Sequence, residues 1–169
     1  DEAGDNPQAY KTHGGSVKAI YDFGNMSLTS INAYETTSGY SRGDTDGGAA
    51  ADYPYNGVPN GYGQSMGQVR DLDQYTQELR LASEGDSAWQ WQVGAYWFDS
   101  RDTTDFYQRA WFLQTAAHNP NNWVRLRNSN TSWAGFGQVS WQASDRLSFT
   151  AGFRETEDSK HTRLLKTAD

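Results

Sequence analysis

The chain has 169 residues, 21 acidic against 14 basic, a formal charge of −7 and no cysteine. That length suits one domain, the acidic balance argues against nucleic-acid binding as a main task, and the lack of Cys excludes a disulfide framework or a thiolate metal site. Hydrophobic residues are only 36% and mean hydropathy is −0.88, yet there are seven Trp, ten Tyr and seven Phe beside two Ile and nine Leu. A soluble core is normally built from aliphatic side chains. Aromatic girdles around a polar interior give the profile seen here, and so does a secreted β-sandwich with an aromatic sugar-binding face.

The first residues, Asp1 to Pro7, are acidic and polar, so they are not a signal peptide. An exported protein needs one, so the chain is expected to begin inside a longer protein or after a removed leader. No apolar run is long enough for a transmembrane helix. The first hairpin is read at 16–34, turning at Asp22-Phe23-Gly24-Asn25. Its pattern is weak, because Met26, Leu28 and Tyr34 share one face while Ile31 and Ala33 share the other. A long Gly-, Asp-, Tyr- and Pro-rich connection follows at 37–72.

The second hairpin, 73–100, is the clearest. Tyr75, Leu79 and Leu81 alternate with Thr76, Glu78 and Arg80 up to the turn Glu84-Gly85-Asp86-Ser87. Trp89, Trp91, Val93, Ala95 and Trp97 then share one face, opposite Gln90, Gln92 and Gly94. A period of two marks a strand with different surroundings on its two sides. The run from Ala88 to Ser100 would span about 43 Å, whereas globular strands have about 5–6 residues and a tilted membrane strand needs about 9–11.

A second long connection is read at 101–131. Within it Phe106–Leu113 fits either a strand extension or a short helix. Asp44, Asp46, Asp52, Asp102 and Asp105 fall in these loop-like stretches and read as solvated acids. The third hairpin, 132–155, turns at Ser144-Asp145-Arg146. Trp133, Val139 and Trp141 share a face, and Leu147, Phe149, Ala151 and Phe153 alternate with Ser148, Thr150, Gly152 and Arg154. The expected fold is therefore all-β, an antiparallel meander of about six long strands. Three short turns alternating with two long connections is the pattern of a membrane barrel, with the long loops extracellular.

No catalytic constellation is present, so no enzyme and no cofactor is expected. His13, His118 and His161 are far apart and lack a metal-ligand partner at suitable spacing, so no metal site is expected. Asp44-Thr45-Asp46-Gly47 starts like a calcium loop but lacks the later ligands. Lipid-facing candidates are Leu79, Leu81, Trp89, Trp91, Val93 and Trp97. Lumen-facing candidates are Glu78, Arg80, Gln90, Gln92 and Arg154. Candidate ligand contacts are the loop aromatics Tyr53, Tyr55, Tyr62, Trp111, Phe112 and Trp123, which offer large apolar area at little entropic cost.

Five segments, 28–34, 76–83, 91–98, 134–140 and 145–154, together resemble the barrel of TonB-dependent outer-membrane receptors, in that family's order and covering most of 16–158. The branch most resembled is that of iron-complex receptors. The resemblance implies a domain, 1–169, that is part of a larger transmembrane barrel in a Gram-negative outer membrane. It implies energy-coupled uptake of a scarce ligand: an iron–siderophore complex, cobalamin or a glycan. The implied partners are membrane lipid, the rest of the barrel and its plug, and the TonB complex through an N-terminal segment missing here. A barrel of about 22 strands cannot close with six. The chain ends in Leu164-Leu165-Lys166-Thr167-Ala168-Asp169 rather than an aromatic, and Glu155-Thr156-Glu157-Asp158 replaces the Tyr-Thr pattern that usually follows Arg154. A fragment from mid-barrel is expected. The alternatives are a secreted carbohydrate-binding β-sandwich and a small outer-membrane barrel with an adhesive or structural role.

Overall fold

The computed structural model describes residues 8–44, 64–109 and 121–167. They form six strands: β1 (Gln8–Asp22), β2 (Met26–Asp44), β3 (Gln64–Ser83), β4 (Trp89–Arg109), β5 (Asn121–Ser144) and β6 (Leu147–Thr167). All lie in one antiparallel sheet in chain order, the meander expected from the sequence. The turns fall where Gly, Asp and Ser cluster. Gly24 and Gly85 adopt φ of 91° and 94°, which only glycine enters without strain. At the first turn Phe23 N–H donates to the Met26 carbonyl and Gly24 N–H to Asp22 Oδ1.

The strands are longer than the sequence pattern indicated. The connections read at 37–72 and 101–131 contain strand up to Asp44, from Gln64, up to Arg109 and from Asn121. Phe106–Arg109 is thus strand extension, not helix. Likewise β1 begins at Gln8 and β6 runs to Thr167, beyond the hairpins read at 16–34 and 132–155. Polar and apolar residues mix on both faces of these extensions, so they show no sustained apolar alternation. Cross-strand hydrogen bonds mark them instead: Thr131 Oγ1 to Asp99 Oδ2 at 2.9 Å, Asn128 Nδ2 to Asp102 Oδ2 at 2.9 Å, and Thr162 Oγ1 to Asn128 Oδ1 at 2.9 Å. Asp102 and Asp105 are therefore strand residues with partners, not solvated loop acids.

One irregularity matters for the site. Val69 pairs with Thr104 and Asp71 with Thr103, so Arg70 is an extra residue in β3. The bulge frees its side chain from the ladder and lets it reach across to β4.

The sheet has no conventional core. Ala134 is the buried hydrophobic residue among those described, and no large side chain is fully buried. A β-sandwich would need a second sheet packed over the tryptophans, and the described residues supply one sheet alone.

Candidate functional site

The two faces of the sheet carry inverted exposure. Along β4 the residues Trp89, Trp91, Val93 and Ala95 are exposed, while Gln90, Gln92, Gly94 and Tyr96 are half-buried. In β5 Trp133 is 60% exposed, between Ser132 at 7% and Ala134 at 6%. Thr29, also buried, lies on the same polar face, in the register row of Arg80. A water-soluble sheet shelters its apolar face. Here the polar face is the more sheltered one, and the aromatic face is offered outward.

Register organises that outward face into two aromatic rows. Trp89 pairs with Trp141, which pairs with Phe149, and Trp97 pairs with Trp133. The Trp89–Trp141 rings stack at 5.4 Å and 11°, the Trp141–Phe149 rings at 5.9 Å, and Trp97–Trp133 lie 5.8 Å apart. Tyr75 extends the second row onto β3, 5.3 Å from Trp97. Such pairs contribute about 0.5–1.5 kcal/mol each beyond area burial. Between the rows lie Leu79, Leu81, Val93, Ala95, Val139 and Ala151 on the same face. The ring of Phe153 fills the space left by Gly137. Eight residues separate the rows, about 26 Å along the strand or about 20 Å across a layer if the strands lean by ~40°. A membrane barrel carries an apolar band about 25 Å tall flanked by aromatic girdles. The predicted lipid-facing residues, Leu79, Leu81, Trp89, Trp91, Val93 and Trp97, all fall on this face.

The face is uneven. On β2 and β3 the positions between Leu28 and Tyr34 and between Leu79 and Tyr75 are Ser30, Asn32 and Gln77. Tyr75 donates its hydroxyl to Asn32 Oδ1 at 3.1 Å, and Asn32 Nδ2 donates to Ser30 Oγ at 3.2 Å. Tyr75, Asn32 and Ser30 thus bond to one another, which lowers the cost of holding them on an apolar surface.

Glu78, Arg80, Gln90, Gln92 and Arg154 share the opposite face. Arg80, Gly94, Phe136 and Arg154 form one register row, and Glu78 and Tyr96 belong to the next. The Arg154 guanidinium sits over the Tyr96 ring, 5.6 Å from its centroid. Among the described residues no salt bridge joins Glu78 to Arg80. Gln90 is engaged locally: its amide donates to the Gly85 carbonyl at 2.7 Å, and its Oε1 accepts from Ser83 Oγ at 2.7 Å. It fastens the turn.

Of the aromatic ligand candidates, Tyr53, Tyr55, Tyr62, Trp111 and Phe112 lie outside the described residues. Trp123 was expected in a loop but belongs to β5. The Arg125 guanidinium lies 4.7 Å over its ring and also grips Asp105 in a two-pronged bond, Nε–Oδ1 2.6 Å and Nη2–Oδ2 2.9 Å. Arg70, freed by its bulge, adds Nη1–Oδ2 at 3.3 Å. Asp105 is 8% exposed. The Arg125 hydrogen bonds hold its carboxyl below the usual range, against the opposing pull of burial, and the same bonds push Arg125 up. This clamp joins three strands. The sequence analysis missed it because its members are 20 and 35 residues apart and one acts through a bulge. Among the described residues no group of three or more metal-ligating side chains comes together.

No protein-family profile matches the chain. No curated protein matches it. In structure it is similar to the ferric yersiniabactin uptake receptor FyuA from Yersinia pestis, seen in a crystal structure, with a TM-score of 0.66 and 14% identity. The match covers 96% of this chain and 26% of that chain, so the likeness is one of fold, over about a quarter of the receptor.

Proposed function

We propose that this chain is a section of the β-barrel of a TonB-dependent receptor in a Gram-negative outer membrane, serving energy-coupled uptake of a scarce small ligand. The observation that carries the proposal is the inverted exposure on β3 to β5: tryptophans and aliphatics outward between two aromatic rows, amides and charges on the sheltered side, with Glu155 and Glu157 of the edge strand β6 the acids that share the outward face there. That arrangement is costly in water and favourable in lipid. The fold likeness to an uptake receptor for a ferric complex supports the functional class. An iron chelate is the first ligand to test, with cobalamin and glycans next.

In this reading the outward face meets lipid. Glu78, Arg80, Gln92 and Arg154 face the lumen and the plug, and TonB is engaged through a segment of the receptor beyond these residues. The loop aromatics Tyr53, Tyr55, Tyr62, Trp111 and Phe112 capture ligand. Trp123, stacked under Arg125, shapes the base of its loop. The chain performs no catalysis.

The test is uptake by cells in which the gene for the complete receptor is deleted. Accumulation of a radiolabelled iron chelate should fall to background and return on complementation. It should also be abolished in undeleted cells by loss of TonB or collapse of the proton gradient. Undiminished uptake of iron chelates, cobalamin and glycans in the deletion strain would reject the transport reading.

A further inference from the structure

The outward face is built differently on its two halves. Between the aromatic rows β4 and β5 present Trp91, Val93, Ala95 and Val139. On β1, β2 and β3 the same face holds Val17, Ala19, Ser30, Asn32 and Gln77 beside Leu28, Leu79 and Leu81. The upper row reaches these strands as Tyr34 and Tyr75, which are cross-strand partners, and Asn32 and Gln77 stand two residues inside them. Asn32 and Ser30 bond within this wall, and Tyr75 spends its hydroxyl on Asn32. Gln77 is different. It is exposed, it lies opposite Asn32 in register, and its side-chain amide has no hydrogen-bond partner among the described residues. An amide carries two N–H donors and a carbonyl acceptor, and lipid tails answer none of them.

The surroundings of Gln77 say what covers it. The outward positions at Val17, Ala19 and Tyr21, from Leu28 to Tyr34 and from Tyr75 to Leu81 hold no acid or base. Such a wall meets a copy of itself without like-charge repulsion. Val17, Ala19 and Ser30 are short, so another wall can come close, and small residues with a polar group among them are what bring membrane segments together. An amide, donor and acceptor at once, pairs reciprocally with a second amide. Two receptors in one membrane share an orientation, so a two-fold axis relating them runs along the membrane normal and sets every residue at the depth of its own copy. A second copy therefore brings an amide to the depth at which Gln77 lacks a partner, whereas a wall of other sequence does so only by coincidence. We propose that the outer wall of β1 to β3 is a dimer interface in the plane of the membrane, in which Gln77 of one copy hydrogen-bonds Gln77 of the other beside the short side chains of β1 and β2. The interface rests on the barrel reading above.

The test uses the complete receptor, with any cysteines elsewhere in it replaced. In outer membranes, Leu79→Cys, one outward position from Gln77, should be joined by a short membrane-permeant thiol cross-linker into a species of twice the receptor mass. Val139→Cys, on the same face of β5, should not be joined. Gln77→Met keeps the length of the side chain and removes the amide. It should raise the dimer dissociation constant about tenfold, read by sedimentation equilibrium in density-matched detergent. Gln77→Asn, which retains an amide, should lose less. A wild-type receptor that sediments as a monomer at every concentration would overturn the interface. So would an unchanged constant for Gln77→Met, equal linkage of the two cysteine variants, or linkage of Leu79→Cys only to a protein of another mass. Heat-modifiability and carbonate-resistant membrane association separate the two claims. Receptor that inserts and stays monomeric defeats only this inference. Wild-type protein that fails to insert defeats the barrel.

Discussion

Val93→Arg is expected to block insertion of the complete receptor, while Gln92→Arg leaves insertion nearly intact. Val93 is midway between Trp89 and Trp97, is 48% exposed, and lies on the face that carries both aromatic rows. A cation there enters the centre of the apolar band, at a cost of about 2–4 kcal/mol for a barrel strand. Gln92 is its sequence neighbour, half-buried on the polar face, where a guanidinium finds water and other polar groups. The pair controls for backbone, strand and position along the membrane, leaving the face as the only difference. The readout is the amount of folded, heat-modifiable receptor in the outer membrane. Equal losses for the two variants would show that the faces are wrongly assigned.

Gly94→Val should destabilise the sheet strongly by a different route. A Cβ at Gly94 would meet the Phe136 ring, and would stand 2.8 Å from the Leu79 carbonyl oxygen. A ring can turn aside, but a ladder carbonyl moves only if β3 and β4 shift together. Overpacking of this kind costs about 1–3 kcal/mol, and the backbone contact puts Gly94 at the upper end. Gly135→Ala is the matched control. It lies on the opposite face in the adjoining strand, and its Cβ would meet nothing within 4 Å. The urea midpoint of the complete receptor in detergent should drop for Gly94→Val and stay nearly constant for Gly135→Ala. Matching midpoints would mean that Phe136 does not lie across Gly94.

The turns, and the faces of β3, β4 and the first part of β6, were legible in the sequence because apolar–polar alternation is strong there. Trp89 to Trp97 and Trp133 to Trp141 share a spacing of eight, the local trace of the two cross-strand Trp pairs. The pairing itself was not legible, because it joins strands across a connection. β2 was ambiguous because Ser30 and Asn32 interrupt its outward face, and their stabilising partner, Tyr75, is on another strand. The strand extensions were hidden for a related reason. Where polar and apolar residues mix on both faces, period two fades from the composition and shows in pairings such as Asp102 with Asn128 and Asn128 with Thr162. Trp123 was assigned to a loop on that account, and the role of Asp105 was invisible without the Arg70 bulge.

The central claim is that the tryptophan face of β4 meets lipid and the glutamine face meets water. Site-directed nitroxide labelling tests it most directly, with one label at a time from Trp89 to Phe98 in the complete receptor reconstituted into bilayers. Collisions with oxygen report lipid, and collisions with a water-soluble nickel chelate report the aqueous lumen. Oxygen access should peak at 89, 91, 93, 95 and 97, and nickel access at 90, 92, 94, 96 and 98, the two profiles in opposite phase. Nickel peaks at Trp91, Val93 and Ala95, or profiles without period two, would contradict the account.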